Sequence, residues 1–76
     1  MAKKGATDNQ LKQLRAKVAG LKEQLDYAEK SNHRLKNMLR DSLVPQQSYD
    51  EVYAIYQGAK NQYLAAKAEL ADAENG

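Results

Sequence analysis

Few residues of this chain belong to the types that perform chemistry. The 76 residues include one histidine, His33, and no cysteine, so neither a thiolate nor a histidine-rich metal site is expected. The carboxylates of Asp26, Glu29 and Asp41 are spaced like ordinary exposed charges of a helix, and no pair is placed to share a proton. No glycine-rich phosphate loop occurs. We therefore expect no enzymatic activity, no metal and no cofactor, and we interpret His33 as a solvated surface residue.

The tyrosines are candidates for binding rather than for catalysis. Tyrosine is enriched at the energetic centres of protein interfaces, which favours a role as an anchor for another protein. A tyrosine ring at the edge of a packed helix, with its hydroxyl in water, is an equally good interpretation. The residues concerned are Tyr27, Tyr49, Tyr53, Tyr56 and Tyr63.

Positive charge is concentrated in the first part of the chain. Residues 1–43 carry ten Lys/Arg and five Asp/Glu, a balance of +5, whereas residues 44–76 carry two and five, a balance of −3. The difference favours attraction between the two halves; a basic surface for nucleic acid is the alternative. Interleaved acids such as Asp26 and Glu29 argue against nucleic acid. The candidate surface for a protein partner or for nucleic acid consists of Lys12, Arg15, Lys22, Lys36, Arg40 and Lys60.

Two helices separated by a break must position these residues. Pro45 has no amide donor to continue a helix, and it disfavours the helical conformation at Val44. The spacing of Ser48 and Glu51 predicts a capping box at the start of a second helix. We therefore predict a single domain with a disordered basic tail over residues 1–6, a first helix over 7–43, a turn over 44–48 and a second helix over 49–74. Thr7 is the predicted cap of the first helix, in a capping box with the residue three positions later.

Apolar residues recur in steps of three and four along both helices, at positions a and d of a seven-residue repeat. This period is typical of helices that pack as a coiled coil, and a short loop favours an antiparallel hairpin. The first helix contributes Leu11, Leu14, Val18, Leu21, Leu25, Ala28, Asn32, Leu35 and Leu39. The second contributes Tyr49, Val52, Tyr56, Ala59, Tyr63, Ala66, Leu70 and Ala73.

A turn over residues 44–48 predicts that paired residues have numbers that sum to about 92. Leu11 and Leu14 are then expected to overhang the end of the second helix. The e positions of the two helices face each other in an antiparallel hairpin, so Lys22 is expected near Glu74, and Glu29 near Lys67. The segment 25–39, with Asn32 at an a position, resembles a parallel leucine zipper. The hairpin is favoured over the zipper, because a parallel dimer would set Lys17 against Lys22 of the other chain.

A chain this short has little core and usually needs further stabilisation by a disulfide, a metal ion or a partner chain. Without cysteine or a metal site, we expect a second copy of the chain to supply it. The largely uncharged edge of the hairpin is the predicted homodimer interface, with Gly20, Gln24, Tyr27, Met38, Ile55, Gly58 and Gln62. The resulting four-helix bundle resembles in shape the small hairpin dimers of the Rop type. The expected function is a protein–protein interaction module: an adaptor, assembly factor or inhibitor of a larger complex, in a style frequent in phages and mobile elements. The alternative is a nucleic-acid-binding hairpin that uses the basic edge.

The sequence shows no membrane segment. No apolar run approaches the length of about 20 residues that a spanning helix needs. The first five residues lack the apolar run of a signal peptide. With no cysteine to require an oxidising compartment, we expect a cytoplasmic protein.

Overall fold

Two long antiparallel helices make up the fold. In the computed structural model, residues 7–75 are described, and they form α1 (Asp8–Arg40) and α2 (Gln46–Asn75) with no strand between 7 and 75. The pair measures 63 × 13 × 12 Å. The predicted all-α helical hairpin is therefore confirmed, whereas the predicted tail over residues 1–6 lies outside the described residues.

The start of α1 is a capping box. The Gln10 amide donates to Thr7 Oγ1 at 3.2 Å, and the Thr7 amide donates to Gln10 Oε1 at 3.0 Å. Asp8 adds a negative charge in the first turn, where the helix dipole favours it. Two amides that a helix N-terminus leaves without partners are thereby satisfied, as the sequence predicts.

The end of α1 is a Schellman motif centred on Ser42. The Ser42 amide donates to the Leu39 carbonyl at 2.9 Å, and the Leu43 amide donates to the Met38 carbonyl at 2.8 Å. Ser42 has φ 61°, the left-handed conformation that usually carries glycine at this position. The helix therefore ends at Arg40, earlier than the predicted residue 43.

The start of α2 also comes earlier than predicted, at Gln46 rather than residue 49. Pro45 suits the approach to a helix because its fixed φ is helical and a donor is not needed there. Its carbonyl accepts from the Ser48 amide at 3.0 Å, so Ser48 lies inside the first turn. The predicted capping box of Ser48 and Glu51 does not form. Instead, Glu51 Oε2 accepts from Gln47 Nε2 at 3.4 Å.

The shorter turn changes the register of the two helices. Arg15 Nη2 lies 3.1 Å from Glu74 Oε2, and Lys17 Nζ lies 3.3 Å from Glu69 Oε1. The numbers of these pairs sum to 89 and 86, so the predicted sum of 92 is wrong by about one helical turn. The reason is that the turn is centred near residue 43 and not 46. The predicted contact of Lys22 with Glu74 is therefore replaced by the one from Arg15.

The seven-residue pattern itself predicts the buried side of each helix. Every a and d residue of both helices is buried or half-buried, and together we call them the seam. Leu11 and Leu14 were predicted to overhang the end of the second helix, but both are half-buried in the seam. Among residues 7–75, only Ala28 and Ala66 are buried to more than nine-tenths, at 6% and 3% exposure. The described hairpin thus has a long seam but almost no fully enclosed core.

Candidate protein interface

An open groove of about 630 Å³ runs between the helices on one edge of the hairpin. In the observed register Ala28 of α1 is level with Ala59 of α2, and both line this groove. Two small side chains at the same level leave a gap that larger seam residues fill elsewhere. The interface groove, as we call it, is lined by Gly20, Glu23, Gln24, Tyr27, Ala28, Ser31, Val52, Ile55 and Ala59.

Two large side chains border the interface groove and are open to water. Tyr27 is 71% exposed and Ile55 is 65% exposed. Gly20 lies in open space, since a Cβ built there would meet no atom within 4 Å. Glu23 is the only charged residue among the lining residues. The groove can therefore lose its water with little electrostatic cost, because few charged groups have to be desolvated.

The structure brings together four of the seven residues predicted for the dimer interface. Gly20, Gln24, Tyr27 and Ile55 line the interface groove. The other three lie outside it. Met38 is half-buried beside a separate groove on the outside of α1, Gln62 lines a small cavity nearer the open end, and Gly58 is exposed on α2.

The outward surface of α2 continues from the interface groove and carries no charge over most of its length. We call it the α2 outer face. Gly58 of this face was predicted as an interface residue; the signal for the rest of the face was the absence of charge at the outermost positions of the second helix. Leu64, at 49% exposure, is its largest apolar side chain. Its exposed residues are Ala54, Gly58, Asn61, Leu64, Ala65, Ala68 and Ala71.

Half of the predicted basic surface is already neutralised by carboxylates. Arg15 is bound to Glu74, Lys22 Nζ lies 3.0 Å from Asp26 Oδ1, and Arg40 Nε lies 3.5 Å from Asp41 Oδ1. The hydrogen bond to Asp26 and the charge of that carboxylate raise the pKa of Lys22.

The three other members of the predicted basic surface, Lys12, Lys36 and Lys60, are exposed and have no ion pair within residues 7–75. The predicted set is therefore not one continuous field of free positive charge.

Three of the four tyrosines of α2 form a ladder near the turn. The rings of Tyr49 and Tyr53 stack with centroids 6.0 Å apart, and Tyr53 and Tyr56 are tilted at 6.3 Å. Tyr53 is 42% exposed, and its hydroxyl accepts from Gln57 Nε2 at 3.0 Å. The ladder lies along α2, on the edge opposite the interface groove.

Asn32 is the one seam residue with a buried polar atom that has no partner in the described part of the chain. Its Oδ1 is buried and accepts no hydrogen bond. A buried oxygen of this kind costs free energy, because its hydration is lost and not replaced. Asn32 is therefore a weak point of the seam.

Searches against protein families, curated proteins and solved structures find no match. In the described range no group of three His, Cys, Asp or Glu side chains is arranged to hold a metal ion. Neither α1 nor α2 is long and apolar enough to cross a membrane. His33 borders an open groove on the outside of α1 together with Glu29 and Asp41.

Proposed function

We propose that this chain is a non-enzymatic protein–protein interaction module. It works as a homodimer in the cytoplasm and serves as a small adaptor, assembly factor or inhibitor of a larger complex. The interface groove, continuous with the uncharged α2 outer face, is the observation that carries this proposal. A soluble helix normally presents charged residues on its outward side, and α2 does so only near its two ends.

The balance of burial supports a second copy as the first partner. Only two alanines are enclosed to more than nine-tenths between residues 7 and 75, so the isolated hairpin has little core. Removing the exposed side chains of Tyr27 and Ile55 from water would add stabilisation, up to about 1.5–3 kcal/mol for each aliphatic or aromatic side chain that becomes fully buried. A dimer thus supplies the burial that one hairpin lacks.

The dimensions of the hairpin are sufficient for a specific interface. The long face measures 63 by 13 Å in outline, which is about 800 Å². This projected outline is of the same order as the accessible surface of about 800 Å² that each partner contributes to an interface of standard size. A pair of hairpins that meet along this face would form the four-helix bundle.

A nucleic-acid-binding function is less well supported. Three of the six predicted cations are held by carboxylates, and each such pair would have to be broken before it could meet a phosphate. Binding through phosphates would weaken steeply as salt concentration rises. A mobility-shift assay with duplex and single-stranded nucleic acid at low salt tests this alternative. A shift of the nucleic acid that disappears at higher salt would support nucleic-acid binding over protein binding.

Sedimentation equilibrium at micromolar concentration tests the dimer. We expect the wild-type chain to be a dimer and Ile55→Lys to be a monomer, because twofold symmetry places each new charge in the interface twice. Tyr53→Lys is the control, since Tyr53 is also an exposed large side chain of α2, at 42%, but lies on the edge opposite the interface groove. A folded wild-type monomer would contradict dimerisation. The larger complex is then tested by affinity capture from the native host, with Ile55→Lys as the comparison.

A further inference from the structure

We infer that the second copy docks antiparallel on the interface groove, so that the turn of each hairpin lies over the open end of the other. This inference rests on the proposed dimer and adds its orientation. The twofold axis crosses the interface groove near Ala28. The observations that fix it are the positions of two unpaired charges and the shape of the groove.

Glu23 lines the interface groove, whereas Arg34 borders the separate groove on the outside of α1, on the same side of the helix as Tyr27, which is seven residues earlier. Along the helix axis the two charges lie in opposite directions from the groove centre, at nearly equal distances. Glu23 is five residues from Ala28 toward the open end, and Arg34 is six residues from it toward the turn, which is about 8 Å each way at 1.5 Å per residue. Neither has an ion pair in the described part of the chain. Arg34 donates only to Ser31 Oγ, at 3.5 Å.

An antiparallel dimer brings each of these charges to an opposite charge. Rotation about an axis at Ala28 puts Glu23 of one copy level with Arg34 of the other, twice in the complex. A parallel dimer would put Glu23 level with Glu23 and Arg34 level with Arg34. Juxtaposed like charges disfavour an interface, and complementary ones fix its register. The charge pattern therefore selects the antiparallel arrangement.

The groove has a matching asymmetry of shape. Ile55, with Val52 and Ala59, lines its half nearer the turn, whereas the open-end half is lined by α1 alone. Gly20, at that end, adds no side chain, and the space around it is open. The same rotation carries the projecting Ile55 of one copy toward the emptier half of the other groove. The projecting Ile55 side chain therefore meets the open space of the partner's groove only in the antiparallel orientation.

Charge reversal tests the pairing. We expect Glu23→Arg and Arg34→Glu each to raise the dissociation constant of the dimer about tenfold or more, and the double variant to restore it to near the wild-type value. Lys67→Glu, which changes an exposed charge on the edge of α2 opposite the interface groove, should leave it unchanged. Circular dichroism of every variant establishes that the helices remain intact. Two single effects that simply add, with no restoration, would overturn the inferred orientation.

A distance between spin labels tests the orientation independently. The chain has no cysteine, so Leu43→Cys can carry one label at the exposed turn. The turn is about 20 Å from Ala28, so an antiparallel dimer predicts about 40 Å between labels, against less than about 20 Å for a parallel dimer. A dimer with the short distance overturns the orientation and leaves the proposed dimer intact. Monomeric wild-type protein overturns both.

Discussion

Replacement of Asn32 by leucine should make the hairpin more stable. Asn32 lies in the seam, its Oδ1 is buried, and no donor in the described residues reaches it. Leucine has the same branched outline at Cγ and matches its neighbours along the seam. The substitution therefore removes a buried oxygen that has lost its hydration, and adds an apolar side chain in its place.

The expected gain can be estimated from these two terms. An unsatisfied buried polar group costs about 1–3 kcal/mol, and leucine exceeds asparagine in helix propensity by a few tenths of a kcal/mol. The sum is about 2 kcal/mol for Asn32→Leu. In a domain of this size, about 1 kcal/mol shifts the melting temperature by about 4–8 °C. The melting temperature should therefore rise by about 8–16 °C.

Urea denaturation followed by far-ultraviolet circular dichroism measures the effect, at one protein concentration because dimerisation is linked to stability. Asn37→Leu is the matched control: it makes the same change in the same helix, on the outer side, where no buried oxygen is orphaned. The control should gain no more than about 0.5 kcal/mol. Equal gains for the two variants, or a loss for Asn32→Leu, would refute the argument that Asn32 Oδ1 is unsatisfied in the seam.

Three further predictions concern the helix ends and one ion pair. Ser42→Gly should raise the free energy of unfolding by about 1 kcal/mol, because glycine adopts φ 61° without the steric cost, and thermal melting measures this. Thr7→Ala should lower the free energy of unfolding by about 1 kcal/mol, because Thr7 caps α1, and Ser48→Ala should lower it by less than about 0.5 kcal/mol, because Ser48 caps no helix. Urea midpoints measure both losses, and equal losses would indicate that Ser48 caps α2 after all. Because Asp26 raises the pKa of Lys22, their interaction is present below pH 10.5 and is lost as the pH rises through the raised value. Asp26→Asn should return that pKa toward its ordinary value, and a titration followed by NMR detects the change.

The sequence was sufficient to predict which side of each helix is buried, and insufficient to predict which residues face each other. Burial follows from the seven-residue pattern, which any neighbouring helix satisfies. The register depends on the turn, and the turn depends on Ser42 adopting a left-handed conformation that its residue type disfavours. Pro45 was correctly placed in the break, but it precedes a helix and does not belong to a longer loop.

The candidate interface was predicted in part for the same reason. Tyr27 and Ile55 were assigned to one edge from the pattern of each helix alone, and the structure places both at the interface groove. The groove itself exists because Ala28 is level with Ala59, a match that follows only from the observed register. Predicting the shape of the groove between the helices thus requires the geometry of the turn, whereas predicting the buried side of a single helix does not.

The constant register of the hairpin has a consequence for the order in which it folds. Partners across the seam are close in sequence beside the turn, and their separation grows steadily to 52 residues for Lys17 and Glu69 and to 59 for Arg15 and Glu74. Each contact that forms shortens the loop that the next one must close, so the helices associate progressively from the turn outward. Substitutions beside the turn should then slow folding, and those at the open end should mainly speed unfolding. The open end is the last part to close and the first to separate.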